Sequence, residues 1–201
     1  MIYNEVEFSF NDPQVVTEID GRNNQITLTF DDGPGKYTND ILRSLNKENM
    51  NAYFFWQTSR LYASRPWENL YKEGHGLGSH GHRHVDFTRL SPEKQWKHLQ
   101  VSVREMTQIT GISPEFFRPP YGKYNKDTVD AASSLGMKTV LWSLASLDWE
   151  LKQSPESIIR NITEHLNPGA VILLHEFRQT RDILPELLQE IRNRNYKTAL
   201  L

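Results

Sequence analysis

Apolar positions along the 201-residue chain follow two alternating periods. Short β-branched or aromatic runs read as strands buried on both faces: Thr27-Leu28-Thr29-Phe30, Ala52-Tyr53-Phe54-Phe55-Trp56, Phe116-Phe117, residues 138–142 and residues 170–175. Leu77-Gly78-Ser79-His80 adds a brief strand that opens into a loop. Between these runs apolar residues recur every three or four positions: Ile41, Leu42 and Leu45 within 38–47, Trp96, Leu99, Val103 and Met106 behind Ser91, and Ile183, Leu184, Leu187, Leu188 and Ile191 within 182–194. Further helices are predicted over 60–71, 126–135 and 154–165, and a last strand over 197–200. Ser91-Pro92-Glu93 supplies a capping hydroxyl, a proline suited to the first turn and an acid at the positive end, while Gly74 and Gly111 stop the preceding helices. Alternation of this kind predicts right-handed crossovers and a mostly parallel sheet, open or closed into a barrel. With no repeat, linker or low-complexity stretch, a single domain over 1–201 is expected.

Composition narrows the partners. Lys plus Arg number 23 against 25 Asp plus Glu, a formal charge of -2, which argues against a nucleic-acid surface or a polybasic membrane patch and leaves a neutral or small partner. Cysteine is absent, so a metal would have to be held by His, Asp or Glu. The start, Met1-Ile2-Tyr3-Asn4-Glu5-Val6-Glu7, lacks the basic region and apolar core of a signal peptide, and no stretch is long enough to span a bilayer. The chain as written therefore reads as cytoplasmic, and a secreted or cell-wall protein trimmed of its leader would read the same.

Chemistry in barrels collects at the carboxyl ends of strands, and five predicted strands end in reactive residues: Asp31-Asp32, His80 with His84, Arg118 ahead of Tyr121, Asp148-Trp149 beyond Trp142, and His175-Glu176. Side chains alternate along a strand, but where the chain leaves it at Gly33-Pro34 both acids can reach one cavity, one to bind a metal and the other to move a proton. Taken alone, Asp-Asp-Gly-Pro is equally an ordinary turn. His80 and His84 converge if their loop coils through a helical turn, and two imidazoles with one carboxylate leave positions open for water and substrate. His82 is offset by two from each and points elsewhere; His75, His98 and His165 read as structural or surface residues.

Thr29-Phe30-Asp31-Asp32-Gly33-Pro34, His80-x-x-x-His84, Arg118-Pro119-Pro120-Tyr121-Gly122, Asp148-Trp149 and Ile172-Leu173-Leu174-His175 resemble, in order, the five motifs of the polysaccharide deacetylases, the NodB-homology carbohydrate esterases. The likeness runs from about residue 25 to about 177. It implies a distorted (β/α) barrel, with seven rather than eight strands at this length, and a metal-dependent hydrolase that removes acetyl groups from N-acetylglucosamine-containing glycans or oligosaccharides. By the same resemblance Asp32, His80 and His84 would hold a divalent metal, usually Zn2+, although such a set also accommodates Co2+, Ni2+ or Mn2+. Asp31 would be the base, paired with Arg118, which would orient it and keep it ionised. The backbone N–H of Tyr121 would stabilise the oxyanion, and His175, its pKa raised by Asp148, would protonate the leaving amine. Trp149, Leu173 and Pro120 would contact substrate, the first two walling an apolar slot for the acetyl methyl.

Three positions depart from the family pattern: Gly81 in place of a hydroxyl residue, Ala145 in place of an additional Asp, and Glu176 in place of Asp. Phe54-Phe55-Trp56-Gln57 is bulkier than the corresponding strand. Two other functions remain open on the sequence: an amidase of the same barrel family acting on a small non-sugar amide, and a module that binds glycan without cleaving it.

Overall fold

A computed structural model describes residues 12–201, so the start at Met1–Glu7 lies outside the described residues. Along the chain run β1 (Gln25–Gly33), α1 (Thr38–Lys47), β2 (Tyr53–Trp56), α2 (Trp67–Lys72), β3 (Gly76–Ser79), α3 (Pro92–Thr110), β4 (Phe116–Phe117), α4 (Lys126–Ser134), β5 (Lys138–Thr139), β6 (Leu144–Ala145), α5 (Pro155–His165), β7 (Val171–His175), α6 (Arg178–Asn193) and β8 (Lys197–Thr198). Seven strands form one path, β5-β4-β3-β2-β1-β7-β6, with every pairing parallel. The short β8 pairs with the start of β1 at Gln25 and Ile26. Since β5 and β6 are the two ends of the path, the sheet curls into a half-barrel: the distorted (β/α) barrel of the sequence reading, left open between them.

β1 is central because both of its faces are covered. Ile26, Leu28 and Phe30 pack against residues of α1 and α6, including Ile41, Leu45, Leu184 and Leu188, while Thr27, Thr29 and Asp31 are buried on the other face. Each large apolar side chain so buried stabilises the fold by about 1.5–3 kcal/mol relative to exposure. Phe54 and Trp56 of β2 join the β1 cluster, and Tyr53 and Phe55, on the alternate face, join Val140 in a separate one. Helix ends follow local chemistry. Ser91 Oγ accepts from Lys94 N at 3.4 Å and Gly111, at φ 75°, ends α3. Asn125 and Thr128 exchange bonds in a capping box at the start of α4.

Three boundaries differ from the sequence expectation. The helix predicted over 60–71 is confined to α2, preceded by a 3₁₀ turn at Thr58–Arg60. Pro66 disfavours helical geometry at Arg65, and the Arg60 side chain is drawn off to the Asp32 carbonyl at 2.9 Å. Of the strand predicted over 138–142 only Lys138–Thr139 forms, as β5, because Leu141 O accepts from Arg118 Nη2 and Leu141 N donates to Val16 O; β6 (Leu144–Ala145) is a further strand beyond the predicted range. The last helix starts four residues early, at Arg178, where Thr180 is buried against Asp148. No helix among the described residues is long and apolar enough to cross a membrane.

Candidate active site

All five reactive strand ends lie at the carboxyl side of the sheet, and β1 sets the geometry. Its register with β2 shifts between Asp31 and Gly33, and Asp32 sits at φ 68°, so the alternation breaks between the two acids. Asp31 stays buried, 3% exposed, while Asp32 turns outward and remains partly accessible. A positive φ is costly for a residue with a Cβ, and the turn is held on several sides. Gln57 Nε2 donates to Asp32 Oδ1 at 2.9 Å, Arg60 Nη1 donates to Asp32 O at 2.9 Å, and Gln57 N donates to Gly33 O at 2.9 Å. Only glycine fits at 33, where a Cβ would lie 1.9 Å from Glu176 Oε1.

Asp32 Oδ1 is 3.4 Å from His84 Nε2 and 3.7 Å from His80 Nε2. Among the described residues these three form the group that could hold a metal ion, each offering one ligand atom within 4.8 Å of the others. His80 Nδ1 donates to the Arg118 carbonyl at 2.8 Å, which leaves the Nε2 lone pair facing Asp32. Burial pushes the His80 pKa down to about 3, so its imidazole is neutral and ready to donate. The His84 ring packs edge-on to Tyr121 with centroids 4.3 Å apart. Two imidazoles and a carboxylate are the donor chemistry of a divalent cation with open positions.

Beside this cluster the fully buried Arg118 donates from Nη1 to Asp31 Oδ1 at 2.9 Å and to Thr29 Oγ1 at 2.6 Å, with its guanidinium over the Phe55 ring at 4.2 Å. Arg118 thus pairs with the Asp31 carboxylate. It does not keep the Asp31 pKa low, because burial raises it by more than Arg118, His175 and His84 lower it.

Opposite, Asp148 is fully buried in the loop beyond β6 and accepts three bonds on its carboxylate: His175 Nδ1 to Oδ1 at 2.7 Å, and His175 N and Thr180 Oγ1 to Oδ2 at 2.7 and 2.6 Å. Burial works against the charged imidazole of His175, but Asp148 together with Asp31 and Asp32 outweighs it and the His175 pKa is raised. The ring is wedged between Phe177, stacked at 4.9 Å and 9°, and Trp149, edge-on at 5.4 Å.

Asp31, Asp32, His80, His84, Tyr121, Trp149, Leu173 and His175 line one pocket of about 370 Å³, together with Trp142 and Phe177. Arg118 and Asp148 act on it from behind. Pro120 is buried in the 3₁₀ turn Pro120–Gly122 and does not reach the pocket wall; Tyr121, at φ 63°, is the member of that turn that does. His82 lies outside the cluster, bonded to Glu105 Oε2 at 2.9 Å. His75 accepts from Ala52 N, His98 from Arg83 N, and His165 Nδ1 donates to Asn161 O.

The departures have local reasons. Gly81 stands at φ 80°, where a side chain would be strained, and Ser79 Oγ supports the loop instead by accepting from Gly81 N at 3.0 Å. Glu176 and the bulky Trp56 belong together: Trp56 Nε1 donates to Glu176 Oε1 at 2.7 Å, and Gly35 N and Thr38 Oγ1 donate to Oε2. Ala145 is buried in β6 opposite Leu173. Sequence reasoning passed over Gln57, Trp142, Phe177 and Thr180. Phe177 carried a signal, since two residues beyond His175 strand alternation puts it on the same face.

Residues 18–140, more than half of the chain, match the family model described as Polysaccharide deacetylase. The chain belongs to that family. The Peptidoglycan-N-acetylmuramic acid deacetylase PdaC of Bacillus subtilis (strain 168) is 31% identical over 182 residues, 89% of this chain and 38% of PdaC. A Peptidoglycan-N-acetylglucosamine deacetylase of Bacillus cereus is 26% identical over 88% of this chain and 66% of its own length. The chain thus spans less than two thirds of either. A solved T48 deacetylase with substrate superposes with a TM-score of 0.79 at 30% identity, over 87% of this chain and 86% of that one.

Proposed function

We propose that this chain is a metal-dependent hydrolase that removes N-acetyl groups from N-acetylglucosamine-containing glycans or oligosaccharides. The observation that carries the reading is the sharing of one pocket by the Asp32–His80–His84 cluster, the Arg118-bonded Asp31 and the Asp148-bonded His175. The names of the PdaC and Bacillus cereus relatives favour a cell-wall glycan as the source of the acetylated sugar.

Asp32, His80 and His84 would hold the ion, with zinc the expected metal. When bound, it supplies a Lewis acid for the acetyl carbonyl and lowers the pKa of water. Asp31, aimed by Arg118 and with its pKa raised by burial toward the working range, takes a proton from the attacking water. The Tyr121 N–H stabilises the developing oxygen charge. His175, kept protonated by Asp148, gives its proton to the departing amine nitrogen as the C–N bond breaks, leaving acetate and a free amine. Leu173, Trp149 and Trp142 wall the space for the acetyl methyl, an apolar discrimination worth about 1–3 kcal/mol.

The test is acetate release from a graded series of N-acetylglucosamine oligomers by the zinc-loaded protein. Release that varies with oligomer length supports the reading. Silence on every oligomer with hydrolysis of small non-sugar amides would replace it by the amidase, and glycan binding without product would replace it by a binding module.

A further inference from the structure

We infer that Gln57 is a positioning residue for the metal-binding carboxylate, an inference that rests on the metal-dependent reading above. Gln57 directly follows β2 and is 4% exposed. Its side-chain amide donates from Nε2 to Asp32 Oδ1 at 2.9 Å, and that is the oxygen 3.4 Å from His84 Nε2 and 3.7 Å from His80 Nε2. A carboxylate can only accept, so the amide group facing it has to be the NH₂. The bond fixes one oxygen of Asp32 toward the two imidazoles.

Asp32 needs such a restraint more than the other two donors. It occupies φ 68° on a turn with a register shift, and its side chain is 26% exposed, so the bare carboxylate is free to rotate toward water. His80 is already locked through Nδ1 to the Arg118 carbonyl. Gln57 provides the equivalent restraint from the opposite strand. Its own backbone is tied to the same turn by Gln57 N donating to Gly33 O at 2.9 Å, while Arg60 N donates to Gln57 O at 3.0 Å and closes the 3₁₀ turn that follows. The residue therefore links the end of β2 to the turn that ends β1 through both main chain and side chain. Partners of metal ligands placed in this way are worth about 10–100-fold in metal affinity.

The experiment is a zinc titration of metal-free wild type, Gln57→Leu and Gln57→Met against a chromophoric chelator, with circular dichroism to show that each variant folds. The expected result is a zinc dissociation constant raised about 10–100-fold in both variants, with activity recovered at excess zinc and an unchanged KM. A purely structural role would not separate zinc affinity from KM. Zinc affinity equal to wild type in either folded variant overturns the inference. A measurement needing no variant runs beside it: the Gln57 side-chain amide resonance of the ¹⁵N-labelled wild type is expected to move on zinc addition, and an amide unmoved by saturating zinc also overturns it. Wild type that takes up no zinc contradicts instead the metal-dependent reading on which the inference rests.

Discussion

Asp148→Asn is expected to disable His175 while leaving the Asp32–His80–His84 cluster intact. Two donors, His175 N and Thr180 Oγ1, converge on Asp148 Oδ2, whereas Oδ1 receives only His175 Nδ1. The single oxygen of an asparagine stays where two donors meet, so its NH₂ faces Nδ1. Nδ1 must then accept, the imidazole becomes the neutral Nε2–H tautomer, and protonating it would set two donors against each other. General acid catalysis typically contributes about 10²–10⁴-fold, or about 3–5 kcal/mol of barrier at about 1.36 kcal/mol per tenfold, and that is the predicted loss in kcat. The sign with pH follows from the wild-type balance. Burial opposes the charge on His175, Asp148 with help from Asp31 and Asp32 overrides it, and the folded pKa lies above 6.5. The stabilisation from this pair is thus full below pH 6.5 and fades as pH rises through the folded value. In the variant the pKa falls below 6.5, the alkaline limb of residual activity moves to lower pH, and the stability gap from wild type is widest on the acid side. Acetate release and urea unfolding across the neutral range measure both effects. A variant with most of the wild-type rate, or with an unmoved alkaline limb, would refute the assignment of His175 as the acid.

Three further outcomes follow from the geometry. Asp32→Ala removes the oxygen that faces both imidazoles and is expected to abolish zinc uptake in a chelator titration and acetate release with it. Glu176→Gln keeps the shape but sets an NH₂ against one of the donors Trp56, Gly35 or Thr38; one buried donor left unpaired costs about 1–3 kcal/mol, a fall in Tm of about 2–12 °C for a chain of this size, read by calorimetry. Burial pushes the His75 pKa down to about 4, so the folded state resists its protonation and stability present above pH 6.5 is lost as pH falls toward 4; His75→Gln, which keeps an acceptor for Ala52 N, is expected to flatten that dependence in urea midpoints measured against pH.

What was legible in the chain was what local pattern and adjacency determine. β1 stood out because a β-branched and apolar run leads straight into two adjacent acids, and α3 because Ser91 and Gly111 mark its ends. The five reactive strand ends could be read in order because each lies at its strand's end or in the loop that follows it. Illegible features depend on long-range partners. The end of β5 before Leu141 needs Arg118 and Val16, and the early start of α6 needs Asp148 as partner for Thr180; the shortening of the helix predicted over 60–71 was readable from Pro66. Gln57 gave no local sign because its contact with Asp32 exists only through the β1–β2 register. The raised pKa of Asp31 was equally hidden: its pairing with Arg118 was readable from motifs, but the depth of burial that outweighs that pairing was not.

The division of labour between the two adjacent carboxylates is the central claim, and zinc-loaded Asp31→Asn compared with wild type tests it most directly. Metal content and acetate release from N-acetylglucosamine oligomers would be measured on the same preparations. Equal zinc is expected in both proteins, and acetate from the wild type alone. Acetate released by Asp31→Asn at the wild-type rate, or loss of its zinc, would contradict it.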